Sequence, residues 1–158
     1  MAERFEIVEK AILKMLEDKK YAALRDVLLV MNPSDIAALF SGMEEKQIPL
    51  LFRLLPKELA AEVFVEMDSE DQESLIKAFS DYELKEILDE LYLDDTVDII
   101  EDMPANVVSR ILRNCDPSAR SQINQLLNYP KDSAGSIMTT EFVALRPEDT
   151  VARAFARI

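Results

Sequence analysis

The stretch Ala60-Ala61-Glu62-Val63-Phe64-Val65-Glu66-Met67 decides the fold. Its apolar positions, Ala60, Val63, Phe64 and Met67, follow the i, i+3, i+4, i+7 spacing of one α-helical stripe rather than the alternation of a strand. The same spacing stands earlier in the chain as Ile36, Leu39, Phe40 and Met43. It returns as Leu84, Ile87, Leu88 and Leu91, and once more as Val108, Ile111, Leu112 and Cys115. The interval is the same at every step, from Ile36 to Ala60, from Ala60 to Leu84 and from Leu84 to Val108. A second stripe follows in each unit: Leu51 and Leu55, Leu75 and Phe79, Ile99 and Met103, Ile123 and Leu127. A worn first unit precedes them, with Ile12, Met15 and Leu16, then Val27 and Met31.

A fixed period of this kind means stacked structural units. Each unit holds two stripes, hence two short helices. One pair cannot bury both stripes, whereas stacked neighbours can, so the chain is expected to be all-α. Five units give about ten short helices in one solenoid over residues 1–130. Turn signals fall where this requires. Asn32-Pro33 and Asp116-Pro117 place an N-cap residue before a proline at the first helical position. Asp68 with Asp71 three residues later resembles a capping box. Pro56 and Pro104 occupy one slot of the repeat, and each is expected to end a second helix.

Of 158 residues 49% are hydrophobic and only two are glycine, enough for a sizeable helical core. One cysteine excludes an internal disulfide, and at Cys115 it falls in a core slot of the repeat. Met1-Ala2-Glu3-Arg4 opens a charged helix rather than a signal peptide. No apolar run approaches the roughly 18 residues that would span a bilayer, so this piece reads as soluble.

Charge is concentrated. The net charge is −13, and residues 58–104 hold 17 of the 31 acidic residues against only Lys77 and Lys85. Such a face repels phosphate, which disfavours nucleic acid and favours divalent cations or a basic protein surface. Acidic residues on polar helix faces commonly serve solvation, and acids in a first turn complement the helix dipole. Local density at Leu93-Asp94-Asp95-Thr96-Val97-Asp98 goes further. This stretch reads as the turn between two helices, with Asp94 as an N-cap and Asp95 as a first-turn acid. Asp94 and Asp98, one helical turn apart, share a face and repel unless water or a cation stands between them. Hard cations such as Mg²⁺ take such oxygen ligands.

There is no histidine, so imidazole acid–base chemistry and histidine zinc sites are excluded. No glycine-rich phosphate loop is present. The sequence carries no enzyme signature.

After Leu127 the repeat stops. Residues 131–136 read as a connector, with Pro130 ending the last helix and Gly135 expected to permit a turn that other residues resist. Phe142-Val143-Ala144-Leu145 is expected to be a strand, and Asp149-Thr150 to cap a helix from Val151. A lone strand and a cut helix do not make a domain, so residues 137–158 read as the start of a second, α/β domain.

At this junction Tyr129-Pro130-Lys131-Asp132-Ser133-Ala134-Gly135-Ser136-Ile137-Met138-Thr139 resembles the segment of the MgtE family of magnesium transporters that joins the helical N domain to a pair of CBS modules. Leu55-Pro56, Ala60-Ala61-Glu62-Val63 and Glu90-Leu91-Tyr92-Leu93-Asp94-Asp95 resemble that family too. The resemblance implies a right-handed superhelix followed by the truncated β/α start of the first CBS module. It implies a homodimeric membrane protein of the cytoplasmic (inner) membrane face, whose partners for this domain are its own CBS modules and pore domain. It further implies that Mg²⁺, both transported and regulatory, bridges the acidic face to the CBS modules and holds the pore closed. Glu62, Asp94 and Asp98 match acids the family uses for this bridging, and Asp95 completes the family's Asp-Asp pair. The backbone carbonyl of Ser136 matches a further ligand position, where some members carry glycine. A helical-repeat protein adaptor, like the middle region of the flagellar switch protein FliG, and a soluble CBS-containing regulator are the competing readings.

Overall fold

In the computed structural model, which describes residues 2–130 and 133–157 (side chains from Ile7 onward), the helices begin on the beat of the repeat. In chain order they are α1 (Ala2–Glu17), α2 (Tyr21–Leu28), α3 (Pro33–Ser41), α4 (Ile48–Phe52), α5 (Lys57–Glu66), α6 (Ser69–Ala78), α7 (Asp81–Leu88), α8 (Leu93–Asp102), α9 (Ala105–Asn114) and α10 (Pro117–Leu126). A single 3-10 turn (Ala134–Ser136) and α11 (Val151–Phe155) follow. The starts of α3, α5, α7 and α9 are evenly spaced by the sequence period, as are those of α6, α8 and α10. The helix α4 breaks the rhythm: it is one and a half turns long, with Pro49 in its first turn.

These helices form two layers. In one, α3 packs on α5, α5 on α7 and α7 on α9; in the other, α4 packs on α6 and α8 on α10, while α6 against α9 ties the layers together. One continuous apolar cluster runs from Ile12 to Leu126. Its members are the repeat stripes: Ile36, Leu39, Phe40, Val63, Phe64, Leu75, Leu84 and Ile111 are essentially inaccessible. Each such side chain contributes about 1.5–3 kcal/mol by leaving water. Phe52 anchors the join of units, its ring 6.2 Å from Phe64 and 5.4 Å from Phe79.

Caps explain where the helices begin. Asp68 accepts from the Asp71 amide, and Asp116 from the amides of Ser118 and Ala119. Ser80 and Glu83 make a complete reciprocal capping box on α7. Asn32 stands at the α3 N-cap with Pro33 first in the helix, without a side-chain cap bond. Pro104 ends α8 as expected, the preceding C-cap Met103 being extended, whereas α4 stops at Phe52, well before Pro56. Each proline is the N-cap residue of the next helix, α5 or α9, because its fixed φ near −61° with an extended ψ sets the chain for entry.

Arg110 on α9 fastens units across the layers. Its Nη2 donates to the Phe79 carbonyl at 2.6 Å and to Asp81 at 3.0 Å, and its Nη1 donates to the Ile76 carbonyl. It thereby satisfies carbonyls at the open C-terminus of α6.

The C-terminal part departs from expectation in two ways. Phe142–Leu145 is not a strand: it is exposed chain without regular structure, because no neighbouring strand is present among the described residues to satisfy its amides. Gly135 has no positive φ. Glycine is required there by space, since a Cβ would stand 2.3 Å from Cδ1 of Tyr129. The helix at Val151 forms as expected, with Thr150 as its side-chain cap. Lys131 and Asp132 of the connector lie outside the described residues.

Candidate functional site

The acidic residues gather where α5 meets the α7–α8 turn. A groove of about 500 Å³ is lined by Glu58, Glu62 and Glu66 of α5 and by Glu90, Tyr92 and Asp95, over an apolar floor of Ala61, Val65 and Leu91. A second groove of about 270 Å³ lies between α6 and α8 and is lined by Asp68, Asp95, Asp98 and Asp102. Repeat geometry causes this convergence. In α5 the stripe Ala60, Val63, Phe64 faces the core, which turns Glu58, Glu62 and Glu66 outward along one side. In α8 the stripe Val97, Ile99, Ile100 does the same for Asp95 and Asp98.

Asp95 lines both grooves. Its carboxyl is pushed above the ordinary aspartate value, first by burial and then by Asp94, Asp98 and Glu141. Burial and neighbouring like charges thus both disfavour the ionised form of Asp95. Asp94 lines neither groove; its Oδ1 is buried and has no hydrogen-bond partner. Asp94 is not the N-cap of α8. That position belongs to Tyr92, whose side chain makes no cap bond, and Asp94 and Asp95 lie inside the first turn.

Ser136 sits in the 3-10 turn and bonds locally, its hydroxyl donating to the Ser133 carbonyl at 2.9 Å. Of the expected ligands, Glu62 and Asp95 share one groove and Asp95 and Asp98 share the other, while Asp94 and Ser136 line neither. Among the described residues no three acidic side chains converge into a cluster that could hold a metal ion. Cys115 is buried, and burial pushes its thiol above the usual value, so it fills core rather than reacting.

Glu141 was not singled out by sequence. Its Oε2 accepts from the Leu93 amide at 2.7 Å and supplies the cap bond that Tyr92 does not. Nothing local announces a contact between residues so far apart in the chain.

Residues 31–132 match the family described as the MgtE intracellular N domain. The chain belongs to the MgtE family. It is 34% identical over 140 residues to the magnesium transporter MgtE of Thermus thermophilus, covering 86% of this chain and 31% of that protein. It is 25% identical over 147 residues to magnesium transporter MgtE of Bacillus subtilis, covering 93% of this chain and 33% of that protein. The chain thus spans about a third of the length of these curated relatives.

The crystal structure of the cytosolic domain of the Mg²⁺ channel MgtE in complex with ATP superposes with a TM-score of 0.80 at 32% identity, over 94% of this chain and 64% of that one. The soluble part of a magnesium transporter gives 0.82 at 23% identity, over 96% and 60%, a likeness of fold. Among the described residues of this MgtE chain no helix is long and apolar enough to cross a membrane.

Proposed function

We propose that the chain is the cytosolic, Mg²⁺-sensing domain of a magnesium transporter and carries no catalysis of its own. Residues 1–130 are the N domain, 131–136 the connector and 137–158 the beginning of the first CBS module. The CBS modules, the membrane pore and a second protomer are its partners, at the cytoplasmic face of the membrane.

The observation that carries this reading is the crowding around Asp95. Glu62 from α5 stands on one side of it and Asp98 on the other, with the orphaned Asp94 oxygen adjacent. The donors are all oxygens, which suits a hard cation that keeps several waters and takes only one or two carboxylates from each surface. The grooves hold too few converging ligands to form a cage alone, so they serve as half-sites, and acids of the CBS modules supply the other halves. Ser136 offers its carbonyl from the connector side.

A site divided between two bodies favours whichever state brings them together. Mg²⁺ at high concentration therefore stabilises the docked arrangement and holds the pore closed. When Mg²⁺ falls, the acidic faces repel and the N domain moves away.

Titration calorimetry tests the half-site idea. The 158-residue chain is expected to bind Mg²⁺ weakly and with little selectivity, and the full-length protein more tightly. Tight stoichiometric binding by the 158-residue chain alone would contradict it.

A further inference from the structure

The segment after the connector touches the helical repeat at one polar point. Among the described residues, the hydrogen bond from the Leu93 amide to Glu141 Oε2 at 2.7 Å is the only one joining residues 137–157 to the repeat. The segment is otherwise self-contained or exposed: the Glu141 amide donates to Thr139, and Arg157 bonds Asp149 and the Ala144 carbonyl. Ile137 and Phe142 lie open to solvent.

The receiving end is prepared for such a contact. Four helices, α6, α7, α10 and α11, carry their own side-chain caps in Asp68, Ser80, Asp116 and Thr150, while α8, like α2, α3, α4, α5 and α9, makes none. What sets α8 apart is that its first amide, at Leu93, which the N-cap residue Tyr92 does not serve, is taken by a carboxylate from outside the repeat, Glu141. A carboxylate is the favoured acceptor at the positive end of a helix. The same turn already holds Asp94 and Asp95, with Asp98 one turn on. The cap bond and the repulsion among four carboxylates therefore oppose each other within one turn.

We propose that Glu141 is a detachable cap, a latch that docks the start of the next domain onto the first turn of α8. Its strength is set by the charge on Asp94, Asp95 and Asp98. Neutralising that charge tightens the latch, and crowding it loosens the latch. Glu141 is thus a positioning residue that fixes where the connector lies relative to the acidic grooves. It couples what happens at the grooves to the orientation of the following domain. The latch itself needs no metal; only its response to Mg²⁺ rests on the function proposed above.

Amide hydrogen exchange of the whole 158-residue chain, first with Mg²⁺ chelated, tests this. In Glu141→Ala the Leu93 amide is expected to exchange about tenfold faster, as for loss of a hydrogen bond to a charged group. The amides of Val97 and Ile100, deeper in α8, keep their rates and report that the helix is intact. Glu141→Gln, which retains an acceptor oxygen, should stay within about threefold of the parent. Added Mg²⁺ should slow Leu93 exchange in the parent and leave Glu141→Ala unaffected. Equal Leu93 exchange in the parent and Glu141→Ala under chelation overturns the latch. A latch present under chelation but indifferent to Mg²⁺, even at concentrations that saturate the weak binding found by calorimetry, supports the latch and counts against the sensor reading at this turn.

Discussion

The ring of Tyr129 lies directly over Gly135, so that a Cβ at Gly135 would stand 2.3 Å from Cδ1 and 2.5 Å from Cγ. These are atoms near the root of the ring, which cannot swing aside as a flexible chain end would. The last turn of the repeat and the 3-10 turn of the junction are therefore in contact through a residue that has to lack a side chain. Gly135→Ala should cost about 1–3 kcal/mol of this local docking. The ring-current shift of the residue 135 backbone protons should collapse, while the melting of the repeat changes little. Tyr129→Ala should suppress most of the cost in a double-mutant cycle.

Lys19 closes α1 in the left-handed region, with φ 55°. The Lys20 amide bonds the Met15 carbonyl at 2.9 Å and the Lys19 amide the Leu16 carbonyl at 3.0 Å, the pair of bonds that makes a Schellman ending. A side chain is strained in that conformation and glycine is not. Lys19→Gly should raise stability by about 1 kcal/mol in urea unfolding, the reverse of the usual sign for introducing glycine.

Much of this architecture is legible in the sequence, because it is written in local spacing. The starts at Lys57, Asp81 and Ala105 follow from stripes that recur at one fixed interval. The Asp68 and Asp116 caps are read from neighbours within one turn. What fails is long range or depends on space. The dependence of Gly135 on Tyr129 is a matter of contact and not of φ, so composition alone pointed to the wrong reason. Phe142–Leu145 has strand composition, but pairing is a property of two segments. The acids of the grooves were legible as a dense charge run. Their grouping was not, because Glu62 and Asp95 meet across two helices.

Arg110 should be hard to replace. Its side chain is 23% exposed, and its guanidinium serves the Phe79 and Ile76 carbonyls and Asp81 at once. Arg110→Ala should cost about 2–3 kcal/mol, as for hydrogen bonds to a charged group. The midpoint of thermal melting should fall by about 5 °C or more. Arg110→Lys should recover less than half of this, because an ammonium cannot reproduce the planar fork.

Glu83 gives a pH signature. Its carboxyl is held at about 2, against an ordinary 4.5, chiefly by the Arg53 guanidinium and then by the Ser80 amide. A depressed acid stabilises the fold above its unfolded value and loses that contribution as pH falls through its folded value. The window is therefore from about 4.5 down to about 2. Glu83→Gln keeps an acceptor for the capping box and removes the ion pair. Its stability should fall less steeply with acid across that window. At neutral pH it should lose no more than about 1 kcal/mol, because the pair is partly exposed and screened.

The central claim is that the acids on α8 sense Mg²⁺ by joining this domain to the rest of a transporter. The most direct test is the Mg²⁺ dependence of pore gating in the full-length protein carrying Asp94→Asn with Asp98→Asn. The account predicts that the pore stays open at Mg²⁺ concentrations that close the parent, with the same result, to a smaller degree, for Glu62→Gln or Asp95→Asn. Closure at the parent's Mg²⁺ concentration in the Asp94→Asn, Asp98→Asn protein would contradict it.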